Sequence, residues 1–271
     1  MLYREMYGEK VPALGLGTWQ LTGDECVEAV RDALELGYRH IDTAEAYENE
    51  EEVGRGIREA GVDRDEIFLV SKVWFDHLDR GSLLRAAESS LRKLGTDYLD
   101  LLLIHWPNPE ISLVEPLGAM VELKGKGTIR HIGVSNFTPS LVEQASEVTP
   151  IFCNQVECHP YLPQDELRRQ AIEAGYMLAA YCPLARGEVM DDEVLNEIGG
   201  RHDKTPAQVT LRWHVQREPV AAIPKAASAK HRRANLDIFD FELSDEEMER
   251  IGSLSKRERI IDPSFAPAWE S

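Results

Sequence analysis

The sequence predicts a (β/α)8 barrel preceded by a short β-hairpin, and three observations lead there. Eight apolar, strand-like runs alternate with amphipathic stretches along nearly the whole chain of 271 residues. Such alternation implies parallel pairing through right-handed crossovers. Eight units in this length fit one closed barrel, with an open doubly wound sheet as the alternative. Length alone would allow two domains, but barrels of this size form one. No composition shift, low-complexity run or repeat marks a boundary, so residues 1–271 are expected to form a single domain.

The elements follow in order. Residues 2–5 and Val11 flank Tyr7-Gly8-Glu9-Lys10, which reads as a hairpin with Gly8 supplying the turn. The strand candidates are residues 13–17, 39–42, 68–73, 98–105, 129–135, 152–157, 177–183 and 220–224. Between them, residues 82–94 carry Leu84, Ala87, Leu91 and Leu94 at helical spacing. Thr205-Pro206-Ala207-Gln208 has an N-cap Thr, a Pro at the first helical position and the Gln of a capping box. Ser244-Asp245-Glu246-Glu247 is a second such box.

Composition excludes several classes. With 43% hydrophobic and 29% charged residues, the chain buries a sizeable core and is neither disordered nor collagen-like. Its longest apolar run, residues 98–106, is broken by Asp100 and His105, far short of the ~20 residues a membrane helix needs. Met1-Leu2-Tyr3-Arg4-Glu5 lacks the apolar stretch of a signal peptide, so a cytoplasmic protein is expected. A net charge of −18 argues against a nucleic-acid partner, because phosphate contacts require an excess of Lys and Arg. That acid excess reads as a solvated surface and, with few lysines, fits a high-salt cell. The four cysteines form no disulfide framework. Cys153, Cys158 and His159 lie close together but match no standard zinc spacing, so structural or pocket-lining thiols and no metal are expected. A monomer is the working expectation, although oligomeric state is not written in the sequence.

The chemistry of a barrel sits where its strands end. Gly15-Leu16-Gly17 is followed by Thr18-Trp19, not by a helix start, so it is no dinucleotide fingerprint. Phosphate-loop, nucleophile-elbow and zinc-protease motifs are missing. Polar residues instead gather at strand ends: Asp42 and Tyr47 after the second, Lys72 in the third, His105 after the fourth, among Trp19, Trp74 and Trp106. A phenol is a weak acid, with a free pKa of about 10. An ammonium at Lys72 would pull that value down, and Asp42 would hold Lys72 charged. His105 would bond a substrate oxygen or the Tyr47 hydroxyl. The group suits proton donation to a carbonyl oxygen during reduction, not acyl transfer.

Several phrases then resemble the aldo-keto reductase family. They are Leu14-Gly15-Leu16-Gly17-Thr18-Trp19, Gly37-Tyr38-Arg39-His40-Ile41-Asp42-Thr43-Ala44, Ile132-Gly133-Val134-Ser135-Asn136-Phe137, Asn154-Gln155-Val156-Glu157, Cys182-Pro183-Leu184 and Ile223-Pro224-Lys225. They run in the family's order over essentially the whole chain. Short loops, the Trp74-bearing loop and residues 205–216 make it similar to the bacterial 2,5-diketo-D-gluconate and methylglyoxal reductase branch. The resemblance implies a catalytic tetrad of Asp42, Tyr47, Lys72 and His105, with Tyr47 as general acid, and a nicotinamide cofactor bound without a Rossmann domain. It implies Ser135, Asn136 and Gln155 at the carboxamide, Tyr181 stacked on the ring, and Pro183, Leu184 and Gly187 beside the pyrophosphate.

At the adenosine end it implies Lys225, Ser228, His231 and Asn235. Here Ala226 stands where the family has Ser, and His231 where it has Arg. A neutral imidazole cannot match Arg at a phosphate. Lys230, Arg232 and Arg233 are left to compensate or to stand as solvated charges. NADPH is the expected cofactor and NADH is left open. Trp19, Tyr47, Trp74, His105 and Trp106, with Phe265 and Trp269 of the tail, imply an apolar rim that accepts many aldehydes and ketones. Two rival readings are a non-catalytic nicotinamide-binding subunit on the same fold, and a hydrolase or isomerase using Asp42 and His105. The second leaves the pairing of Tyr47 with Lys72, and Lys225, without a purpose.

Overall fold

Tyr7 and Gly8 both take positive φ, 51° and 80°, and the chain reverses there. Strands β1 (Tyr3–Met6) and β2 (Glu9–Pro12) therefore pair antiparallel, with Tyr3 opposite Pro12. The computed structural model describes residues 1–269. The hairpin closes the bottom of the barrel. Val11 and Met6 pack on the inward side chains Phe68, Val70, Phe152 and Met177. Arg4, almost fully buried, donates to the carbonyls of Val220 and Val215 at 2.6 Å each.

Eight parallel strands follow in chain order: β3 (Leu16–Gly17), β4 (His40–Asp42), β5 (Phe68–Val73), β6 (Leu99–Ile104), β7 (Ile129–Ser135), β8 (Cys153–Glu157), β9 (Met177–Tyr181) and β10 (Val220–Ala222). Parallel bridges Leu14–Ala222 and Gly17–Lys225 join the first strand to the last and close the ring. Gly15 N donates to Ala222 O at 2.9 Å, Ala222 N to Ala13 O at 2.8 Å, and Gly17 N to Pro224 O at 3.1 Å. This seam is why residues 13–17 are less regular than a full strand. The two glycines are steric necessities: a Cβ on Gly15 would lie 2.8 Å from the His40 ring, and one on Gly17 2.8 Å from Ile223 O. Elsewhere the predicted strands are observed to within a residue or two at each end.

Helices α1 (Gly23–Leu36), α2 (Glu50–Ala60), α3 (Arg80–Leu94), α4 (Val114–Gly125), α5 (Pro139–Val148), α6 (Asp165–Ala174), α7 (Glu193–His202), α8 (Pro206–Gln216), α9 (Ala229–Leu236) and α10 (Asp245–Gly252) lie between and after the strands. The capping boxes of Thr205 and Ser244 both form. Helix α3 starts two residues before the expected Ser82, because Asp79 caps it by accepting from Ser82 N at 3.0 Å. None of the helices is long and apolar enough to cross a membrane, among the described residues. The thiols need no partner metal to explain their burial: Cys153 is part of the inner cluster, and Cys158 Sγ lies 3.5 Å from Pro163 O.

Successive side chains of a strand point to opposite faces of a sheet. In β5, Phe68 and Val70 face the barrel interior while Leu69 and Val73 face the helices. In β6 the inward pair is Leu101 and Leu103, and in β9 it is Met177 and Ala179. This alternation positions the site.

Candidate active site

Lys72, His105, Gln155 and Tyr181 each continue an inward row: 68-70-72, 101-103-105, 153-155 and 177-179-181. Lys72, His105 and Tyr181 are the top members of their rows, and in β8 Glu157 follows Gln155 opposite Tyr181, so apolar rungs fill the barrel below and polar side chains crown it. Asp42 closes β4 and Ser135 closes β7 at the same level, while Tyr47 reaches in from the short helical turn Glu45–Tyr47.

The four central residues are in contact. Lys72 Nζ donates to Asp42 Oδ1 at 2.6 Å, to Thr43 O at 2.8 Å and to the Tyr47 hydroxyl at 3.2 Å. All three of its protons are thereby used. Burial pulls the ammonium down, but Asp42 and Tyr47 outweigh it, so Lys72 lies above the usual lysine range and stays charged. The expectation that Lys72 lowers the Tyr47 phenol below its ordinary value is not met. Burial dominates and raises it, with Lys72 pulling the other way and Asp42 pushing up. Tyr47 is thus a protonated donor with a cation beside it.

Burial, reinforced by the charge of Lys72, holds His105 well below the usual histidine range, so it is a neutral imidazole. Its ring meets Tyr47 edge-on at 5.6 Å, and no hydrogen bond joins the two among the described residues. Of the two expected roles, the open one is a bond to a substrate oxygen.

Three side chains link this center to the next strands. Gln155 Nε2 donates to Asp42 Oδ2 at 2.7 Å, which leaves its own carbonyl oxygen as the acceptor for a ligand. Ser135 Oγ donates to Gln155 O at 2.8 Å. Asn136, held at φ 62°, donates both amide protons, to His105 O at 3.0 Å and Ser135 Oγ at 3.1 Å, and accepts from the Tyr181 hydroxyl at 2.8 Å. Asn136 therefore keeps only a lone pair on Oδ1 for a ligand. Its larger visible role is to fix the plane of Tyr181.

The loop after β9 carries Cys182, Ala185, Arg186 and Gly187 at φ 50°, 47°, 53° and 100°. Left-handed non-glycine residues are costly and cluster at functional loops. Pro183, Leu184 and Gly187 belong to this loop. Beyond β10, Lys225, Ser228 and His231 are exposed, and Ser228 caps α9 by accepting from His231 N at 3.2 Å. Asn235 is buried one turn further on. Arg232 corrects the expectation for this helix. It is neither solvated nor free to compensate, because its buried guanidinium binds Asp32 at 2.6 Å and the carbonyls of Ala226 and Ala227. Lys230 and Arg233 remain exposed.

On the opposite side, the aromatic residues form a wall. Trp74 meets His105 at 5.2 Å and Phe265 at 5.6 Å between ring centers, and Phe265 meets Trp106 at 5.5 Å. Trp269 stands 6.2 Å from Trp106. Trp19 lies outside this wall, 42% exposed, with Arg186 over its ring at 5.7 Å. One supporting residue escaped the sequence reading. Glu45 accepts from Trp74 N at 3.0 Å and pairs with His77 at 2.8 Å, so it holds the loop that carries Trp74. Its only sequence signal is its place two residues before Tyr47.

A family model described as "Aldo/keto reductase family" matches residues 13–256. The chain is 45% identical to glyoxal reductase of Bacillus subtilis over 257 residues, 93% of this chain and 92% of that protein. It is 40% identical to methylglyoxal reductase DkgB of Escherichia coli O157:H7 over 266 residues, 96% and 99% of the two chains. The fold superposes with a TM-score of 0.98 on a provisionally assigned 2,5-diketo-D-gluconic acid reductase B, at 42% identity, covering 100% and 98% of the chains. It superposes at 0.90 on the Bombyx mori aldo-keto reductase AKR2E4 in complex with NADP, at 35% identity, covering 96% and 94%.

Proposed function

The chain belongs to the aldo/keto reductase family, and from that premise we propose how its residues reduce a carbonyl group and which cofactor they take. The observation that carries the reading is the position of Lys72 Nζ, 2.6 Å from Asp42 Oδ1 and 3.2 Å from the Tyr47 hydroxyl, under a neutral His105. The carbonyl oxygen is bound between Tyr47 and His105. Tyr47 gives its proton to that oxygen as negative charge develops there. The Lys72 ammonium stabilizes the phenolate left behind, and Asp42 keeps Lys72 in place. The aromatic wall excludes water from the reacting carbon.

The donor set fits a nicotinamide dinucleotide. Amide and hydroxyl groups of Gln155, Ser135 and Asn136 lie at one end, the oriented face of Tyr181 comes next, and the exposed cations Lys225, Lys230 and Arg233 lie at the other end. When bound, such a cofactor supplies the hydride. Gln155 accepts from its carboxamide and Tyr181 orients its ring. Lys225, Ser228, His231 and Asn235 hold the adenosine end. NADPH is the preferred form because three exposed cations remain there, and a similar reductase holds NADP. The substrates are small aldehydes and ketones, with glyoxal-type dicarbonyls the first to assay, as the names of the similar reductases suggest.

The test is Tyr47→Phe. With methylglyoxal and NADPH, kcat should fall by ~10²–10⁴-fold, the usual worth of a general acid. The NADPH dissociation constant, read by quenching of Trp fluorescence, should stay unchanged. A variant that keeps near-native kcat would overturn the assignment. An unsubstituted chain that binds NADPH without turnover would favor the non-catalytic subunit instead.

A further inference from the structure

Glu157 ends β8 and lies opposite Tyr181 in the sheet. It is fully buried, yet it plays no part in the tetrad. Its carboxylate is spent on the chain terminus. Oε1 accepts from Ile260 N at 2.7 Å and Oε2 from Ile261 N at 2.9 Å, across 103 and 104 residues of sequence. His159 Nε2 lies 3.0 Å from Oε1 and completes the set. A carboxylate taking two adjacent backbone N–H groups makes strong, directional hydrogen bonds.

What it holds is an irregular segment that otherwise rests on side-chain packing: Leu254 and Ile260 lie against the cluster around Tyr161 and Trp213, and Lys256 lies over the Tyr161 ring at 4.7 Å. After α10, residues 253–269 form no helix or strand. Before Glu157 the segment makes one backbone bond to the barrel, Lys256 N to Tyr161 O at 3.0 Å. On either side of the grip the segment folds on itself: Arg259 lies over the Trp269 ring at 3.5 Å, and Trp269 Nε1 donates to Asp262 Oδ1 at 2.8 Å. Four residues past Ile261 it delivers Phe265 onto Phe75 at 4.6 Å and between Trp74 and Trp106. One wall of the carbonyl pocket therefore comes from an irregular strap whose register is set at Glu157.

We propose that Glu157 is a positioning residue that determines substrate selectivity: its grip on the Ile260 and Ile261 amides places Phe265 in the pocket wall. This rests on the carbonyl-reductase reading above. Bulky aromatic aldehydes, which need the wall, depend on the grip. Small dicarbonyls, which are too short to cover the wall, depend on it less.

The experiment uses the full chain with Glu157→Gln, which replaces one acceptor oxygen by a donor, and Ile261→Pro, which removes a donor from the strap and leaves the barrel untouched. Phe265→Ala and the double variant Glu157→Gln with Phe265→Ala complete the set. Amide hydrogen exchange across residues 256–269 should accelerate by at least about tenfold in the first two, with the barrel strands unchanged. KM for 2-naphthaldehyde should rise roughly fivefold in each single variant, the scale of one lost aromatic contact. In Glu157→Gln and Ile261→Pro the kcat/KM for methylglyoxal should fall by less than that for 2-naphthaldehyde, and the double variant should resemble Phe265→Ala, because both changes remove the same contact.

Unaccelerated exchange in both Glu157→Gln and Ile261→Pro would overturn the proposal. So would equal KM changes for the two aldehydes, or full additivity in the double variant. If Glu157→Gln fails to fold, Ile261→Pro decides by the same readouts. No turnover of either aldehyde by the unsubstituted chain would sink the reductase reading instead, and the exchange result would then decide the anchor alone.

Discussion

Lys72 Nζ stands 3.2 Å from the Tyr47 hydroxyl, and the phenol nevertheless lies above its ordinary range. Burial outweighs the neighboring cation. The charge of Lys72 therefore serves the phenolate that forms during the reaction more than the resting acid. A general acid must be protonated to act, and Tyr47 is protonated at every pH below its raised value. The kcat/KM for reduction should accordingly be flat across about pH 6–9 and fall only above the ordinary phenol value of about 10. A pH–rate profile with a group titrating near 7 to 8 that disappears in Tyr47→Phe would contradict this.

At the adenosine end, His231→Arg should raise preference for NADPH over NADH. His231 is exposed at the start of α9, and the buried Arg232 is committed to Asp32. Arg brings a permanent charge and a planar fork to a 2′-phosphate. Charge-assisted hydrogen bonds are worth ~1.5–3 kcal/mol, and the exposed position gives the lower end. The outcome is about tenfold tighter NADPH binding with NADH unchanged. Dissociation constants for both cofactors in both proteins decide it; an unchanged ratio would mean that residue 231 does not face the phosphate.

Acid should destabilize the fold through histidines rather than carboxylates alone. Burial, helped by Arg217, lowers His214 to about 3, and burial with Lys72 holds His105 well below normal. Both are neutral in the folded state but take a proton in the unfolded chain near pH 6.5. Their contribution is therefore complete above pH 6.5 and is lost as pH falls toward the folded values. Each costs about 1.4 kcal/mol per pH unit in that window. Urea midpoints at pH 8, 6.5 and 5.5 should show this slope, and His214→Gln should make it shallower. A slope unaffected by that substitution would remove His214 from the account.

Gly17→Ala should weaken the barrel at its seam. The new methyl would sit 2.8 Å from Ile223 O, which is backbone and cannot swing aside. Over-packing of this kind costs roughly 1–3 kcal/mol. The effect should appear as a lower urea midpoint with an unchanged slope. Gly118→Ala, with nothing within 4 Å of its Cβ, is the control and should be near neutral or stabilizing. Equal losses in the two variants would refute the steric cause.

The eight strands, the hairpin, both capping boxes and the meeting of Asp42, Tyr47, Lys72 and His105 were legible in the sequence alone. Each rests on local chemistry: periodicity of two, Gly at a turn, a Thr or Ser three residues before Gln or Glu. The tetrad followed because a barrel gathers its strand ends, so polar residues at those ends meet whatever the details. The sequence could not decide what depends on distance and burial. Tyr47 was expected to be lowered by Lys72, but the balance of burial against charge exists only once both are enclosed. Arg232 reads like Lys230 and Arg233 in a run of basic residues. Its pairing with Asp32, 200 residues earlier, is set by how α9 packs on α1. Glu157 follows Asn154-Gln155-Val156 with nothing local to mark its role, because its partners are backbone N–H groups more than a hundred residues away. Backbone amides carry no sequence signature, so only the folded chain brings that carboxylate to the strap it holds.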